Sequence, residues 1–365
     1  MAHFSIINLQ NPSIIFFYFV TLHTQSDSSA VGSALRSGRR GRAFESPLSD
    51  MGTEYRRPII RIALLIGAWC CGFLFYILAG QSISDLVFDE WLQCRLVHWG
   101  DSASSFLLER LKNTDLSHEA KAQVAALTLG HKEMLTPEIK NMYRSAGASH
   151  ILALSGMHLG ILYGLFSVVI RNSINSIYKW ITIPVVLTSV WSYALLTGTP
   201  YSLLRAALMV SIALLIEAGG RRCQGMDILT TSMSVVFLLN PATAFDCGFQ
   251  LSCAAMTGIL VLGVPFIKNM KMSYRLPRNI IGSLSVSFAA QLCTTPLTLW
   301  YFGSFATFSW LTSLISIPMT LATIYLSIGM YCGLWGCTTL IEHLICIQNT
   351  IMTYIGRLPF AYIEI

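Results

Sequence analysis

Long apolar stretches without charged residues dominate this chain and limit what it can fold into. The first, residues 62–80, is close to the ~20 residues with which a helix crosses a bilayer. The longest, residues 305–340, contains no Asp, Glu, Lys or Arg and would be about 54 Å long as a single helix. Because that length exceeds one crossing, we expect Pro318 to break the stretch into a re-entrant half-helix and a full span.

The composition of the whole chain agrees with a membrane location. Hydrophobic residues make up 54% of the 365 residues and charged residues only 12%, whereas soluble domains carry about 25% charged residues. The sequence therefore predicts an all-α, polytopic helical bundle with eight or nine transmembrane spans, some of them broken or re-entrant. The further spans are expected at residues 151–170, 180–197, 202–219, 228–239, 249–267, 280–301 and 344–355.

Basic residues occur in every second loop and predict the orientation of the bundle. The basic residues are Arg56, Arg57 and Arg61 before the first span, and Arg171, Lys179, Arg221, Arg222, Lys268, Lys271, Arg275 and Arg278 after spans two, four and six. The alternate loops 198–201, 240–248 and 302–304 contain no Lys or Arg. By the positive-inside rule the basic loops face the cytoplasm and residues 81–149 lie outside.

These patterns divide the chain into four parts. Residues 1–55 read as a disordered or misassigned N-terminal extension, because 25–50 are rich in Ser, Gly and Arg. Residues 56–80 are the first transmembrane helix. Residues 81–149 carry 16 formal charges and are expected to be a short external helical insertion. Residues 150–365 form the multi-span domain.

Polar residues interrupt the apolar stretch that follows the insertion. His150, Ser155 and His158 fall in the outer half of a predicted span, where polar groups tend to face a bundle interior or a water-filled path. The alternative is that the histidines only hydrogen-bond to neighbouring backbone. In the same stretch, glycines recur every four residues and predict a flat face for helix packing. They are Gly156, Gly160 and Gly164.

Four more polar residues fall within or beside later spans: Arg205, Asp246, Gln250 and Gln291. Arg205 either snorkels to the outer interface or lines a polar path. Asp246 and Gln250 follow Pro241, and short Pro-interrupted segments are typical of broken helices that line a cavity. Gln291 belongs to a similar proline kink, whose freed carbonyls need polar partners. We interpret all four as candidate channel-lining residues.

The sequence lacks the patterns of several enzyme classes. It contains no Walker A loop and no metal-ligand spacing, so we expect no cofactor and no bound metal. Ser155 and His158 stand three apart on one predicted helix, which does not suit the separate-helix dyad of a serine–histidine intramembrane protease. We therefore expect no catalytic residues.

Four ordered segments resemble the ComEC/Rec2 family of competence proteins, over about residues 120–365. They are Ser149-His-Ile-Leu-Ala-Leu-Ser-Gly-Met-His-Leu-Gly160, Thr197-Gly-Thr-Pro-Tyr-Ser-Leu-Leu-Arg-Ala-Ala-Leu-Met209, Asn240-Pro with Gly248-Phe-Gln-Leu-Ser252, and Ala290-Gln-Leu-Cys-Thr-Thr-Pro296 with Phe302-Gly303. The resemblance implies a multi-pass channel in the bacterial inner membrane that passes single-stranded DNA into the cytoplasm during natural transformation. The matching polar positions are then path-lining or structural: His150, Ser155, His158, Arg205, Gln250 and Gln291.

The chain also departs from the longer members of that family. Residues 81–149 look too short and too helical for their external oligonucleotide-binding domain, and no histidine cluster suggests their metallo-β-lactamase-like nuclease domain. It therefore resembles a channel-only or truncated member without enzyme activity. The resemblance implies membrane lipid, a cytoplasmic DNA-translocating ATPase or helicase, a periplasmic DNA receptor and a homo-oligomer as partners. The alternatives are a small-molecule or ion transporter, or a non-functional fragment of a longer competence protein.

Overall fold

Helices make up nearly all the regular structure of the residues that the computed structural model describes, which are 47–79, 98–171, 178–218, 224–270, 275–334 and 336–364. The first seven are α1 (Pro47–Ala79), α2 (His98–Lys112), α3 (His118–Leu129), α4 (Pro137–Ser145), α5 (Ser149–Leu152), α6 (Gly156–Arg171) and α7 (Tyr178–Leu196). The next seven are α8 (Tyr201–Ala218), α9 (Gly225–Leu239), α10 (Cys247–Gly258), α11 (Val264–Asn269), α12 (Arg275–Phe302), α13 (Ser309–Tyr331) and α14 (Cys337–Gly356). Two short strands, β1 (Ser304–Ala306) and β2 (Tyr362–Glu364), pair antiparallel.

The predicted all-α membrane fold is confirmed. Within the described residues, four helical segments are long and apolar enough to cross a bilayer: Ile60–Leu78, Cys247–Asn269, Pro277–Phe302 and Ser309–Tyr331. Three shorter apolar helices accompany them: Ile183–Leu196, Tyr201–Ile216 and Gly225–Leu239. The number of crossings, eight or nine, stays a prediction, as do the expectations for residues 1–46, which lie outside the described ranges.

The long uncharged stretch breaks at a different place from the one expected. Pro318 lies inside α13, which continues without interruption to Tyr331, so the predicted break at this proline was wrong. The helix ends at Tyr331, two residues before Gly333, whose φ is 97°. The N–H of Leu334 donates back to the carbonyl of Gly329, the bond of a Schellman ending that glycine favours. Proline only removes one donor inside a helix, whereas a left-handed residue reverses the chain.

Helix α3 packs against both α13 and α14, which also contact each other, and most of its residues are buried. One of its faces, with Ala122 and Ala126, packs in the same cluster as Ile324 of α13. The opposite face, with Val124, packs in the same cluster as Ile341 of α14. Its alanines are small enough for close helix packing, so part of the predicted external insertion packs directly against the last two helices. Whether this unit lies outside or within the bilayer stays a prediction.

Helices α1 and α9 run parallel and in close contact. Arg61 donates from Nε to Oδ1 of Asp227 across 2.8 Å, near the start of α9 and of the apolar segment Ile60–Leu78 of α1. Further along, Gly72 lies so close to the backbone of α9 that a Cβ would overlap the carbonyl oxygen of Phe237. The starts of α1 and α9 therefore lie on the same side. The predicted orientation, in which both helices begin in the cytoplasm, requires such a parallel pair and stays a prediction.

Helix α12 packs antiparallel against α10 and α11. The closest approach is at Gly258, where a Cβ would overlap the carbonyl oxygen of Ala289. A π-helical turn, Ile259–Gly263, joins α10 to α11 and widens the helix directly after this contact. The 249–267 span predicted as one helix is thus continuous but irregular at its centre.

Candidate functional site

The predicted polar positions Ser155 and His158 cap the start of α6. The backbone N–H of Ser155 donates to Nδ1 of His158 across 3.2 Å, and Oγ of Ser155 accepts from the N–H of Met157 across 3.3 Å. This is the reciprocal pattern of a capping box, with histidine in the place of Glu or Gln. Because Nδ1 accepts, we assign the ring proton to Nε2. That atom is buried and has no hydrogen-bond partner among the described residues.

His150 lies on α5, five residues before Ser155, and contacts a different helix. Its Nε2 is 3.3 Å from Oγ of Ser313 on α13. Ser313 donates its own hydroxyl hydrogen to the carbonyl of Ser309 across 2.7 Å, so its oxygen is available to accept from His150. Next to it, Ser309 donates to the carbonyl of Gly147 across 2.8 Å. The segment before α6 is thus attached to the start of α13.

Arg205 of α8 is 3% exposed and turns into the bundle rather than towards the outer interface. Its Nη2 donates to Oγ of Ser252 on α10, and its Nη1 lies 3.8 Å from Sδ of Met209. Its Nε is buried without a partner, and no carboxylate pairs with it among the described residues. Arg205 is therefore a buried cation with only neutral partners.

Asp246 and Gln250 hold the start of α10 in place. Oδ1 of Asp246 accepts from the N–H of Phe249 across 2.6 Å, an N-cap bond. Gln250 donates from Nε2 to the carbonyl of Ala244 across 2.7 Å, and its Oε1 accepts from the hydroxyl of Tyr301 across 2.9 Å. The amide thus joins the 3-10 turn Pro241–Phe245 to the end of α12.

Gln291 binds the backbone that follows α12. Its Nε2 donates to the carbonyl of Ala306 across 2.8 Å, and its Oε1 accepts from the N–H of Trp310 across 3.0 Å. Gln291 lies eleven residues before the end of α12, about 16 Å along the helix axis. The chain therefore turns back along α12, and one side chain satisfies non-helical backbone at that depth. Within a membrane bundle such backbone needs protein partners of this kind.

The three glycines predicted for helix packing are all on α6. At Gly156 a Cβ would come within 3.1 Å of the Cβ of Ala206, so this glycine permits close contact between α6 and α8. Gly160 and Gly164 are also buried, one and two turns further along. The packing role of Gly160 and Gly164 stays a prediction.

Contacts between the four sequence motifs join their helices into a closed circuit. Ser202 of α8 donates to the carbonyl of Leu154, before α6, across 3.1 Å. The next three contacts are those of Arg205 with Ser252, of Gln250 with Tyr301, and of Gln291 with Trp310. The contact between His150 and Ser313 closes the circuit. The order is the segment before α6, then α8, α10, α12 and α13, and back to that segment.

Sequence reasoning missed the partner residues of this circuit. Ser252, Tyr301 and Ser313 were not predicted as functional positions, although each bonds to one that was. Ser252 and Tyr301 lie within or beside the recognised motifs, which is the one signal that could have marked them. Among the described residues, no group of three or more His, Cys, Asp or Glu side chains could hold a metal ion.

Comparisons with known proteins extend over most of this circuit. A family model described as Competence protein matches residues 127–365, more than half of the chain. The ComE operon protein 3 of Bacillus subtilis is 31% identical over 258 residues, which are 64% of this chain and 30% of that protein. The Recombination protein 2 of Haemophilus influenzae is 24% identical over 224 residues, which are 58% of this chain and 28% of that protein.

A third relative is the protein YcaI of Escherichia coli, described as uncharacterized. It is 24% identical over 240 residues, which are 63% of this chain and 31% of that protein. The chain thus spans about 30% of the length of these curated relatives. No solved structure matches it significantly. Because the family model covers all four motifs, the chain belongs to the ComEC/Rec2 family of competence proteins.

Proposed function

We propose that the chain forms the membrane-channel part of a DNA-uptake apparatus. It passes single-stranded DNA across the bacterial inner membrane during natural transformation and carries out no chemistry on the strand. Membership of the competence family supports this role, as does an all-α bundle with several helices of spanning length. The channel is built from the helices of the closed circuit, whose bonds join the four motifs.

Arg205 is the observation that carries the proposal. A buried guanidinium in a membrane bundle is unfavourable unless it is paired, and such residues commonly mark ion or substrate pathways. Here its partners among the described residues are the neutral groups of Ser252 and Met209, and its Nε has no partner among them. A guanidinium matches phosphate in charge and geometry. Arg205 therefore contacts phosphates of the passing strand when α8 and α10 separate.

The proposal assigns the driving force to other proteins. A cytoplasmic DNA-translocating ATPase or helicase pulls the strand, and a periplasmic DNA receptor delivers it. The chain acts in the multi-pass bundle, in contact with membrane lipid, either alone or as a homo-oligomer. These partners follow from the family and not from a contact within the described residues.

Reconstitution of the purified chain into lipid vesicles tests the proposal. An imposed membrane potential pulls labelled single-stranded DNA inwards, and an external nuclease then degrades the DNA that has stayed outside. We expect the unmodified chain to protect DNA, Arg205→Ala to lose most of this protection, and Lys112→Ala to keep it. Lys112 is an exposed cation of α2, outside the circuit.

Two outcomes would contradict the proposal. Protection no greater than in empty vesicles would mean that the chain does not conduct DNA. Normal protection by Arg205→Ala would mean that a channel exists but does not use this residue. Arg205→Lys separates charge from shape: retained transport indicates that a positive charge suffices, and lost transport indicates that the planar guanidinium is needed.

A further inference from the structure

Basic and aromatic side chains lie together where α4 and α14 end. The two helices run parallel: the hydroxyl of Thr353 contacts Met142, and a Cβ on Gly356 would lie 3.2 Å from Cβ of Ser145. Their ends are therefore adjacent on the surface. We name this surface the α4/α14 patch and define it by Lys140, Arg144, Tyr354, Arg357, Phe360 and Tyr362.

The cations of the patch are exposed and few carboxylates accompany them. Lys140 and Arg144 stand one turn apart on α4, and Arg357 follows the last turn of α14; all three are exposed. Glu364 is the only carboxylate in residues 354–364. Arginines at helix ends also offset the helix dipole. Lys140, however, lies more than a turn before the end of α4, so the dipole does not account for the whole cluster.

Two of the three aromatic rings of the patch face outwards, whereas Tyr362 is half-buried. Tyr354 is 71% exposed and Phe360 79% exposed. Phe360 has a φ of 61°, in the left-handed region that a bulky residue rarely adopts. The Cζ of Arg144 lies 5.6 Å from the ring centroid of Tyr362, a cation–π contact that joins α4 to β2. Cations and open ring faces thus alternate over one surface.

Acidic side chains lie nearer the starts of the same two helices, from Glu138, two residues before Lys140, onwards. A cavity of about 390 Å³ there is lined by Glu119, Glu138 and Glu342. The pKa of Glu138 is held below its usual value by its own backbone N–H and by the hydroxyl of Thr136, so this carboxylate stays ionised near neutral pH. A polyanion is therefore repelled at one end of the α4–α14 face and attracted at the other.

We propose that the α4/α14 patch binds single-stranded DNA, with arginines on the phosphates and exposed rings stacked on bases. Positive grooves combined with stacking aromatics are the usual means of holding single strands without sequence preference. On the predicted orientation α4 lies outside, so the patch holds the strand before it reaches the channel. This role rests on the proposed function, but the binding itself can be tested separately from transport.

The test is the affinity of the full chain for a labelled oligothymidine in lipid nanodiscs of zwitterionic phosphatidylcholine, measured by fluorescence anisotropy over a range of salt. We expect Arg144→Ala/Arg357→Ala to bind about tenfold more weakly, with a salt slope smaller by about 1.4 because each phosphate contact on a single strand contributes about 0.7. We expect Tyr354→Ala/Phe360→Ala to bind at least about fivefold more weakly with an unchanged slope. The control Lys112→Ala/Lys132→Ala, which removes two exposed cations elsewhere, binds normally.

Three results would overturn this proposal. Absence of binding by the unmodified chain would mean that the patch is not a DNA site. Equal weakening in the patch and control variants would mean that binding depends on overall charge and not on this patch. The double-arginine variant could also bind DNA normally but no longer co-purify with phosphatidylglycerol. That result would show that the patch binds lipid headgroups and not DNA. Vesicle transport is scored separately: a chain that binds DNA through the patch but protects none refutes the channel and leaves the patch intact.

Discussion

The backbone N–H of Ser155 points at Nδ1 of His158, 3.2 Å away, and this bond fixes the histidine as the neutral Nε2–H tautomer. The two nitrogens of the imidazole therefore have different environments. One nitrogen caps α6, while the other is a buried donor without a partner among the described residues. A substitution that keeps the cap but removes the buried donor can therefore separate a structural role of His158 from a functional one.

We expect His158→Gln to keep the stability of the protein and His158→Ala to lower it. The Gln side chain is a usual capping-box acceptor, whereas Ala removes the cap at a cost of about 1 kcal/mol and leaves a cavity. Thermal unfolding in detergent, followed by intrinsic fluorescence, measures both. Equal stability of the two variants would show that the cap contributes nothing.

We expect Ser252→Ala to destabilise the bundle more than the loss of an ordinary hydroxyl. Ser252 is the only oxygen acceptor seen for Arg205 among the described residues, so its removal leaves the buried cation without one. Unsatisfied buried charges cost about 1–3 kcal/mol or more.

A second change tests the cause of that effect. Adding Arg205→Met to Ser252→Ala removes the charge as well and is expected to restore part of the stability, because replacing both partners by apolar groups is often close to neutral. Chemical denaturation gives the free energy of unfolding of the single and double variants, and their difference gives the coupling energy between Arg205 and Ser252. A double variant less stable than Ser252→Ala alone would contradict the idea that the unpaired charge is the problem.

Two glycines of α1 provide a matched pair for the contact between α1 and α9. Gly72→Ala is expected to weaken the protein by about 1–3 kcal/mol, because the new methyl overlaps the carbonyl of Phe237. Gly67→Ala, with no atom of the described residues within 4 Å of its Cβ, is expected to be neutral or slightly stabilising. The melting temperatures of the two variants in detergent provide the comparison; a similar loss in both would point to helix α1 itself and not to its contact.

Thiol labelling in intact cells tests the orientation. A cysteine at Ser102 of α2 is expected to react with an impermeant reagent, and one at Asn269, at the end of α11, is expected to stay unlabelled above the background of the unmodified chain. Both positions are exposed. The reverse pattern would invert the topology predicted from the basic loops.

A third cysteine, at Thr339, addresses α14. Because α13 is predicted to begin outside and is long enough to cross a bilayer, Thr339 is expected to stay unlabelled. Labelling at both Ser102 and Thr339 would instead place α3, α13 and α14 together outside the bilayer.

The sequence was most informative where apolar stretches end at charges, Gly or Pro. The spans predicted at 180–197 and 202–219 correspond to Tyr178–Leu196 and Tyr201–Ala218. It was least informative about α3, whose alanines show no apolar stripe because both faces are buried. Hydropathy also could not show where the uncharged stretch 305–340 breaks, because the position of the break depends on the conformation of Gly333.

For the candidate site, the sequence located the polar residues but not what they do. Asp246 is an ordinary N-cap of a kind that sequence rules describe. Gln291 binds two backbone groups of a returning segment, and nothing in its neighbourhood along the chain shows that this segment turns back. Contacts between distant segments of the chain decide these roles.

The closed circuit also constrains the order of assembly during synthesis. Three of its bonds join residues 47 to 51 positions apart, so each helix can pair soon after it is made: Ser202 with Leu154, Arg205 with Ser252, and Tyr301 with Gln250. The bond between His150 and Ser313 spans 163 positions. His150 therefore has no partner on α13 until nearly all of the bundle has been synthesised. A chain interrupted before α13 would leave the circuit of helices open.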